Sequence, residues 1–137
     1  MSNATHNVEI TTEKLPKAAE VLDLFRRLHW AKMDYRDQER FQRALERSWP
    51  IVTAWDGERL VGVCRCVTDG EYTAYISDLA VDPVFQGNGV GTHLVEKALE
   101  LLADFDTITL ITSEEKVSFW ERFGFTNYPG AMMLRRW

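Results

Sequence analysis

The chain has 137 residues, 45% of them hydrophobic and 27% charged. That composition suits one globular domain with its own core and excludes disorder, collagen and coiled coil as descriptions of the whole. Sixteen Lys and Arg against 21 Asp and Glu give a net charge of −5, the wrong sign for a binder of phosphate backbones, so no nucleic-acid partner is expected. No stretch approaches the ~18 apolar residues of a membrane span, so no membrane partner is expected either.

The N-terminus shows no charged region followed by an apolar one, so the expectation is a cytoplasmic protein without a secretion signal. Ser2-Asn3-Ala4 looks like a tag remnant, which leaves residues 5–137 as the single expected domain. Val8–Thr11 alternates apolar and polar residues and reads as a strand. Leu15-Pro16 opens a helix, with Ala18, Val21, Leu22, Phe25 and Leu28 on its buried face. A second helix is expected over Arg36–Ser48, with Phe41, Ala44 and Leu45 inward, ending before Trp49-Pro50. Three strands follow, Ile51–Trp55, Leu60–Thr68 and Tyr72–Val81, joined by turns at Asp56-Gly57 and Asp69-Gly70, in the pattern of an antiparallel meander.

After Val81-Asp82-Pro83 the pattern changes. The Gly-rich segment Gln86–Gly91 leads into a helix whose apolar face is Leu94, Val95, Ala98, Leu99 and Leu102. Ile108–Ile111 is a β-branched strand, Glu115–Arg122 a helix closed near Gly124, and Ala131–Leu134 a last strand. Strand–helix–strand from Tyr72 to Ile111 implies a right-handed crossover and parallel pairing. The expected fold is α+β: a mixed, mostly antiparallel sheet flanked by helices, in the order β-α-α-β-β-β-α-β-α-β.

Gln86-Gly87-Asn88-Gly89-Val90-Gly91-Thr92 follows a strand and opens a helix. A helix start carries four unpaired backbone N–H groups, and glycines let an anion approach them. The segment therefore suits a phosphate or pyrophosphate, and equally a Gly-rich turn with no ligand. It lacks the third glycine position of a dinucleotide fingerprint and the Lys of a P-loop, having Gly91-Thr92-His93 instead. Cys64 and Cys66, two apart in a strand, are in poor geometry for a mutual disulfide and read as free thiols of a reducing compartment. His6, His29 and His93 have no ligand spacing with cysteines or acids, so no metal is expected.

What remains, Gln-x-x-Gly-x-Gly, resembles the cofactor loop of the GNAT family of acetyl-CoA-dependent N-acetyltransferases. The resemblance rests on Leu79-Ala80-Val81-Asp82-Pro83-Val84-Phe85 running into the loop, and on Phe119-Trp120-Glu121-Arg122-Phe123-Gly124-Phe125, similar to the family's Phe-Tyr-x-Lys-x-Gly-Phe. Asp78–Val81 and Gly130-Ala131-Met132 also resemble a bacterial and plant subgroup that includes arylalkylamine acetyltransferases.

The resemblance implies acetyl-CoA as co-substrate and a primary amine, of a small molecule, as acceptor. The backbone of Gln86 through Thr92 would hold the pyrophosphate. The pantetheine arm would add to the strand edge at Leu79, Ala80 and Val81. Phe119, Trp120 and Arg122 would border the cofactor. Asp78 is the first candidate for the base that deprotonates the amine, alone or through a water. Tyr75 stands where several relatives place a catalytic Glu, and lining the pocket is the simpler role for it. Glu71 and Glu114 are weaker candidates, better read as solvated surface.

At Trp120 relatives carry a Tyr able to protonate the leaving thiolate. Indole N–H is no practical acid, so Trp120 is expected to pack against the pantetheine while the thiolate leaves unassisted or takes a proton from water. Trp30, Asp34, Tyr35, Trp49, Tyr72 and Tyr75 are candidate lining for the acceptor site. A homodimer is the assembly the resemblance suggests, with Trp137, Arg135 and Arg136 as possible contacts. Protein acetylation and an acyl-CoA sensor with little turnover are the alternative functions.

Overall fold

The computed structural model describes residues 7–30 and 37–136. His6, Asp34, Tyr35, Arg36 and Trp137 lie outside them. Five strands form one sheet in the order β1-β2-β3-β4-β5. These are β1 (Val8–Thr11), β2 (Ile51–Asp56), β3 (Arg59–Thr68), β4 (Thr73–Val81) and β5 (Thr107–Leu110). The first four pair antiparallel and β4 pairs β5 parallel, as the crossover required. Helices α1 (Ala18–Arg27) and α2 (Gln38–Arg47) cover one face, and α3 (Val90–Leu101) with α4 (Val117–Glu121) covers the other.

The two faces carry separate cores. Val21, Leu24, Phe25, Phe41 and Leu45 from the first two helices meet Trp55, Leu60, Val63 and Ala80. On the other side Leu94, Val95, Ala98 and Leu102, all fully buried, pack on Val52, Ala54, Val61 and Cys64. Each buried Leu or Val contributes roughly 1.5–3 kcal/mol, which fastens α3 to the sheet along its length. Gly62 permits the close approach. A Cβ there would lie 3.0 Å from Leu94 Cδ1, 3.1 Å from Ala54 Cβ and 3.4 Å from Val90 Cγ1.

The β3–β4 ladder is irregular where Arg65 faces Asp78 and Cys66 faces Ile76, leaving Ser77 as an extra residue. Such a bulge breaks the two-residue alternation. Ala74 and Ile76 point to the α3 face, but Ala80 points to the α1/α2 face, although all three are even-numbered positions of one strand. Pairing with β5 stops at Ile76–Leu110. From Ser77 to Val81, no strand among the described residues covers β4 on the β5 side.

Two expectations need correction. Ala131–Leu134 is not a strand: the chain there makes no ladder, and Met132 and Leu134 are exposed. Its composition suits a sheet, but favourable composition alone does not make a ladder. The helix expected over Glu115–Arg122 begins as a short 3-10 turn, Glu114–Lys116, and is α-helical only from Val117 to Glu121.

Candidate acyl-transfer site

The segment between β4 and α3 is fixed at its base. Asp82, buried, donates its N–H to Val61 O at 2.8 Å and accepts the Val84 N–H on Oδ1 at 2.8 Å. Its Oδ2 accepts from the Arg27 guanidinium, which also reaches Leu60 O at 2.9 Å. Pro83–Phe85 makes a single 3-10 turn, with Phe85 buried beneath it. Gln86 Nε2 then donates back to Val81 O at 2.9 Å.

Beyond this anchor the backbone opens. Gly87 and Gly89 take φ of 83° and 84°, the left-handed region where a side chain is strained. Gly89 is the cap residue of α3 and offers no side chain to its first turn. The N–H groups of Val90, Gly91 and Thr92 precede any carbonyl that could accept them within the helix. Together with the partial positive charge of the helix start they leave donors of the kind an anion can accept from.

A fixed cation stands beside those donors. Arg122 donates to Thr92 Oγ1 at 3.2 Å, and its guanidinium carbon lies 4.9 Å from the Phe119 ring centroid and 5.6 Å from that of Phe123. Stacking on two aromatic faces holds a charge that would otherwise swing through solvent. A Cβ on Gly91 would meet Val81 Cγ2 at 3.7 Å and Phe119 Cζ at 3.8 Å, so the strand end, α3 and α4 converge there. The start of α3, the Val81 end of β4, Phe119 and Arg122 are therefore neighbours.

Asp78 lies on the α1/α2 side of that strand. Its Oδ2 accepts from Arg65 Nε at 2.6 Å, and the carboxylate is almost wholly buried. Burial pushes its pKa above the ordinary carboxylate value, and the Arg65 charge and hydrogen bond pull it back. Arg65 also donates to Ser77 Oγ at 2.9 Å and Ser48 Oγ at 3.1 Å. Tyr75 is half-buried two residues before the bulge, opposite Val67 and Thr109. Alternation turns it away from Ala74 and Ile76, so the bulge brings it to the same face as Asp78.

Trp120 is 7% exposed and belongs to the α3-side core, with ring centroids 5.1 Å from Phe119 and 5.5 Å from Phe125. Glu71 and Glu114 are exposed on turns. The described acceptor-lining candidates have different neighbours. Trp30 packs on Phe25 with centroids 4.9 Å apart, Trp49 lies 6.3 Å from Phe105, and Tyr72 is 65% exposed. Sequence reasoning missed Arg65 and Arg27. Arg65 is a lone arginine in an apolar run and Arg27 the second of a helical pair, and their carboxylate partners, Asp78 and Asp82, stand 13 and 55 residues away. Cys64 and Cys66 are free and buried; the hydrogen bond between them, then burial, pushes the Cys64 thiol up.

Comparison with known proteins agrees with this geometry. The sequence profile of the acetyltransferase (GNAT) family matches residues 18–125. The chain belongs to the GNAT acetyltransferase family, a group of transferases for which dependence on acetyl-CoA is typical. An uncharacterized N-acetyltransferase ycf52-like protein of Prochlorococcus marinus is 30% identical over 124 residues, 86% of this chain and 67% of that protein. Histone acetyltransferase TAP1 of Glycine max is 35% identical over 82 residues, 58% of this chain. The chain spans 36% of the length of that soybean relative. Among solved structures, the GNAT family acetyltransferase SP0256 of Streptococcus pneumoniae superposes with a TM-score of 0.78. It is 29% identical, over 94% of this chain and 98% of that one.

Proposed function

We propose that this chain transfers an acetyl group from acetyl-CoA to a primary amine of a small molecule, by direct attack within a ternary complex. The observation that carries the reading is the open start of α3, with Arg122 held beside it, next to a strand edge that no strand among the described residues covers. These residues fit the co-substrate. The N–H groups from Gly87 to Thr92 and the Arg122 guanidinium suit a pyrophosphate, and the β4 edge suits an extended amide-bearing arm. A free N–H on that edge would polarise the thioester carbonyl.

In this reading the amine nitrogen attacks the thioester carbon, the C–S bond breaks, and coenzyme A leaves as thiolate. The ammonium proton passes to a base on the α1/α2 side, for which Asp78, directly or through a water, is the candidate, with Tyr75 beside it. Trp120 supplies no proton, and its burial in the core supports a thiolate that takes its proton from water. The buried thiols support a reducing, cytoplasmic setting. Acetylation of a protein amine is the second reading, favoured by relatives whose names specify histone and N-alpha acetylation.

Calorimetric titration with acetyl-CoA tests the proposal. Binding with a dissociation constant of roughly 1 μM to 1 mM is expected, lost in Gly89→Glu, whose carboxylate would occupy the anion site. Thermal unfolding of the variant separates lost binding from lost fold. No binding by the parent protein at saturating co-substrate sinks the reading. Thiol release with a panel of small amines and peptides then separates the two acceptors, and binding without release marks a sensor.

A further inference from the structure

We propose that Arg65 is a positioning residue for the acyl-transfer site, clamping the β4 bulge so that the uncovered strand edge from Leu79 to Val81 holds one geometry. The inference rests on the acetyl-CoA reading for what that edge binds, and on the structure for what Arg65 does.

Three hydrogen bonds leave one guanidinium. Nε goes to Asp78 Oδ2 at 2.6 Å, Nη2 to Ser77 Oγ at 2.9 Å and Nη1 to Ser48 Oγ at 3.1 Å. Ser77 is the extra residue of the bulge and Asp78 the residue that resumes the ladder opposite Arg65 itself. The same side chain thus grips both residues at which β4 leaves β5. The third bond ties the bulge to the end of α2, where Ser48 in turn donates to Ala44 O at 2.7 Å.

The grip has little freedom. The side chains of Arg65 and Asp78 are 12% and 3% exposed, so the pair is shielded from water and salt. A bulge is a soft point in a ladder because it lacks one pair of backbone bonds. Here side-chain bonds replace them. The forked donor set is what lets one residue address two neighbours and a helix end together; a lysine offers the charge without the fork.

Arg65→Lys tests this in the full chain. In the ligand-free protein, amide hydrogen exchange from Ser77 to Val81 should quicken by about tenfold or more while β2 keeps its protection, because the loosening is local. Acetyl-CoA affinity should fall by about tenfold, whereas ADP, which offers a pyrophosphate and no pantetheine arm, should bind as it does to the parent. Ser77→Ala, which removes one bond and no charge, should show the same exchange pattern more weakly. Unchanged exchange at Ser77–Val81, or a rise spread evenly over the sheet, overturns the proposal, as does an equal loss of acetyl-CoA and ADP. Failure of the parent protein to bind acetyl-CoA is a separate outcome: it removes the acetyl-CoA reading, and the exchange data still decide what Arg65 does.

Discussion

Helices α2 and α3 begin in opposite ways. At the start of α2, Asp37 turns its carboxylate onto the Arg40 N–H at 2.9 Å, so the helix satisfies one donor of its own first turn. At the start of α3, Gly89 brings no side chain, and the donors of the first turn stay open. The same contrast separates the cluster at Asp78, where Arg65 meets three acceptors, from the strand edge that begins beside it. An uncapped helix start is normally a weakness. Here α3 is held by packing of Leu94, Val95 and Ala98 against the sheet, and α2 by fewer buried residues, Phe41 and Leu45, together with its cap. Between these two helices, the polar groups are open on the one with more buried residues; α1, which buries Val21, Leu24 and Phe25, still closes its start through Glu20 and Gln42.

Three substitutions would break or sharpen that contrast. The largest effect is expected at the closed cluster. Arg65→Met should cost roughly 3 kcal/mol at neutral pH, because it strands a buried carboxylate. Burial already raises Asp78 above 3.8, and losing the opposing arginine raises it further. The folded state then holds its proton more tightly than the unfolded state, so stability falls as pH rises. The deficit should be larger at about pH 8 than at about pH 5, as urea titrations at the two values would show. A deficit independent of pH would mean that Asp78 is not the group left uncompensated.

Gly89→Asn should put a side chain over the open start of α3 at the smallest backbone cost, since Asn tolerates the left-handed conformation better than most residues. Its melting temperature should fall slightly while acetyl-CoA affinity falls about tenfold, or ~1.4 kcal/mol, by calorimetry. The smallest effect belongs to Asp37→Ala, about 1 kcal/mol of stability with acetyl-CoA binding unchanged. If binding fell in Asp37→Ala as it does in Gly89→Asn, the two helix starts would not be functionally distinct.

The early strands, the meander and α3 were legible because each has a clean period and a marked end, and the loop was legible because glycines at a fixed spacing have few purposes. The bulge was not. Ala74, Ile76, Asp78 and Ala80 keep an unbroken alternation, so a sequence puts all four on one face. The inserted Ser77 moves the last two to the other, and with them the candidate base. Arg65 was hidden for a related reason: its three acceptors come from a helix end and a neighbouring strand, and no local pattern joins them. The missed ending at Ala131–Leu134 shows the converse. Residue types favourable to a strand do not by themselves make one. The described aromatic acceptor candidates pack against different neighbours, because aromatic content records size and burial more than a shared pocket.

Gly62 faces Val81 across the ladder, and it is there that Leu94 and Val90 of α3 come down onto β3. The missing side chain works as a spacer of zero thickness. Any methyl group inserted there would act as a shim, lifting the first turn of the helix away from the end of β4. The alignment of loop and strand edge is thus set by a residue with no functional group, on the strand next door, and a search for chemistry alone would pass over it.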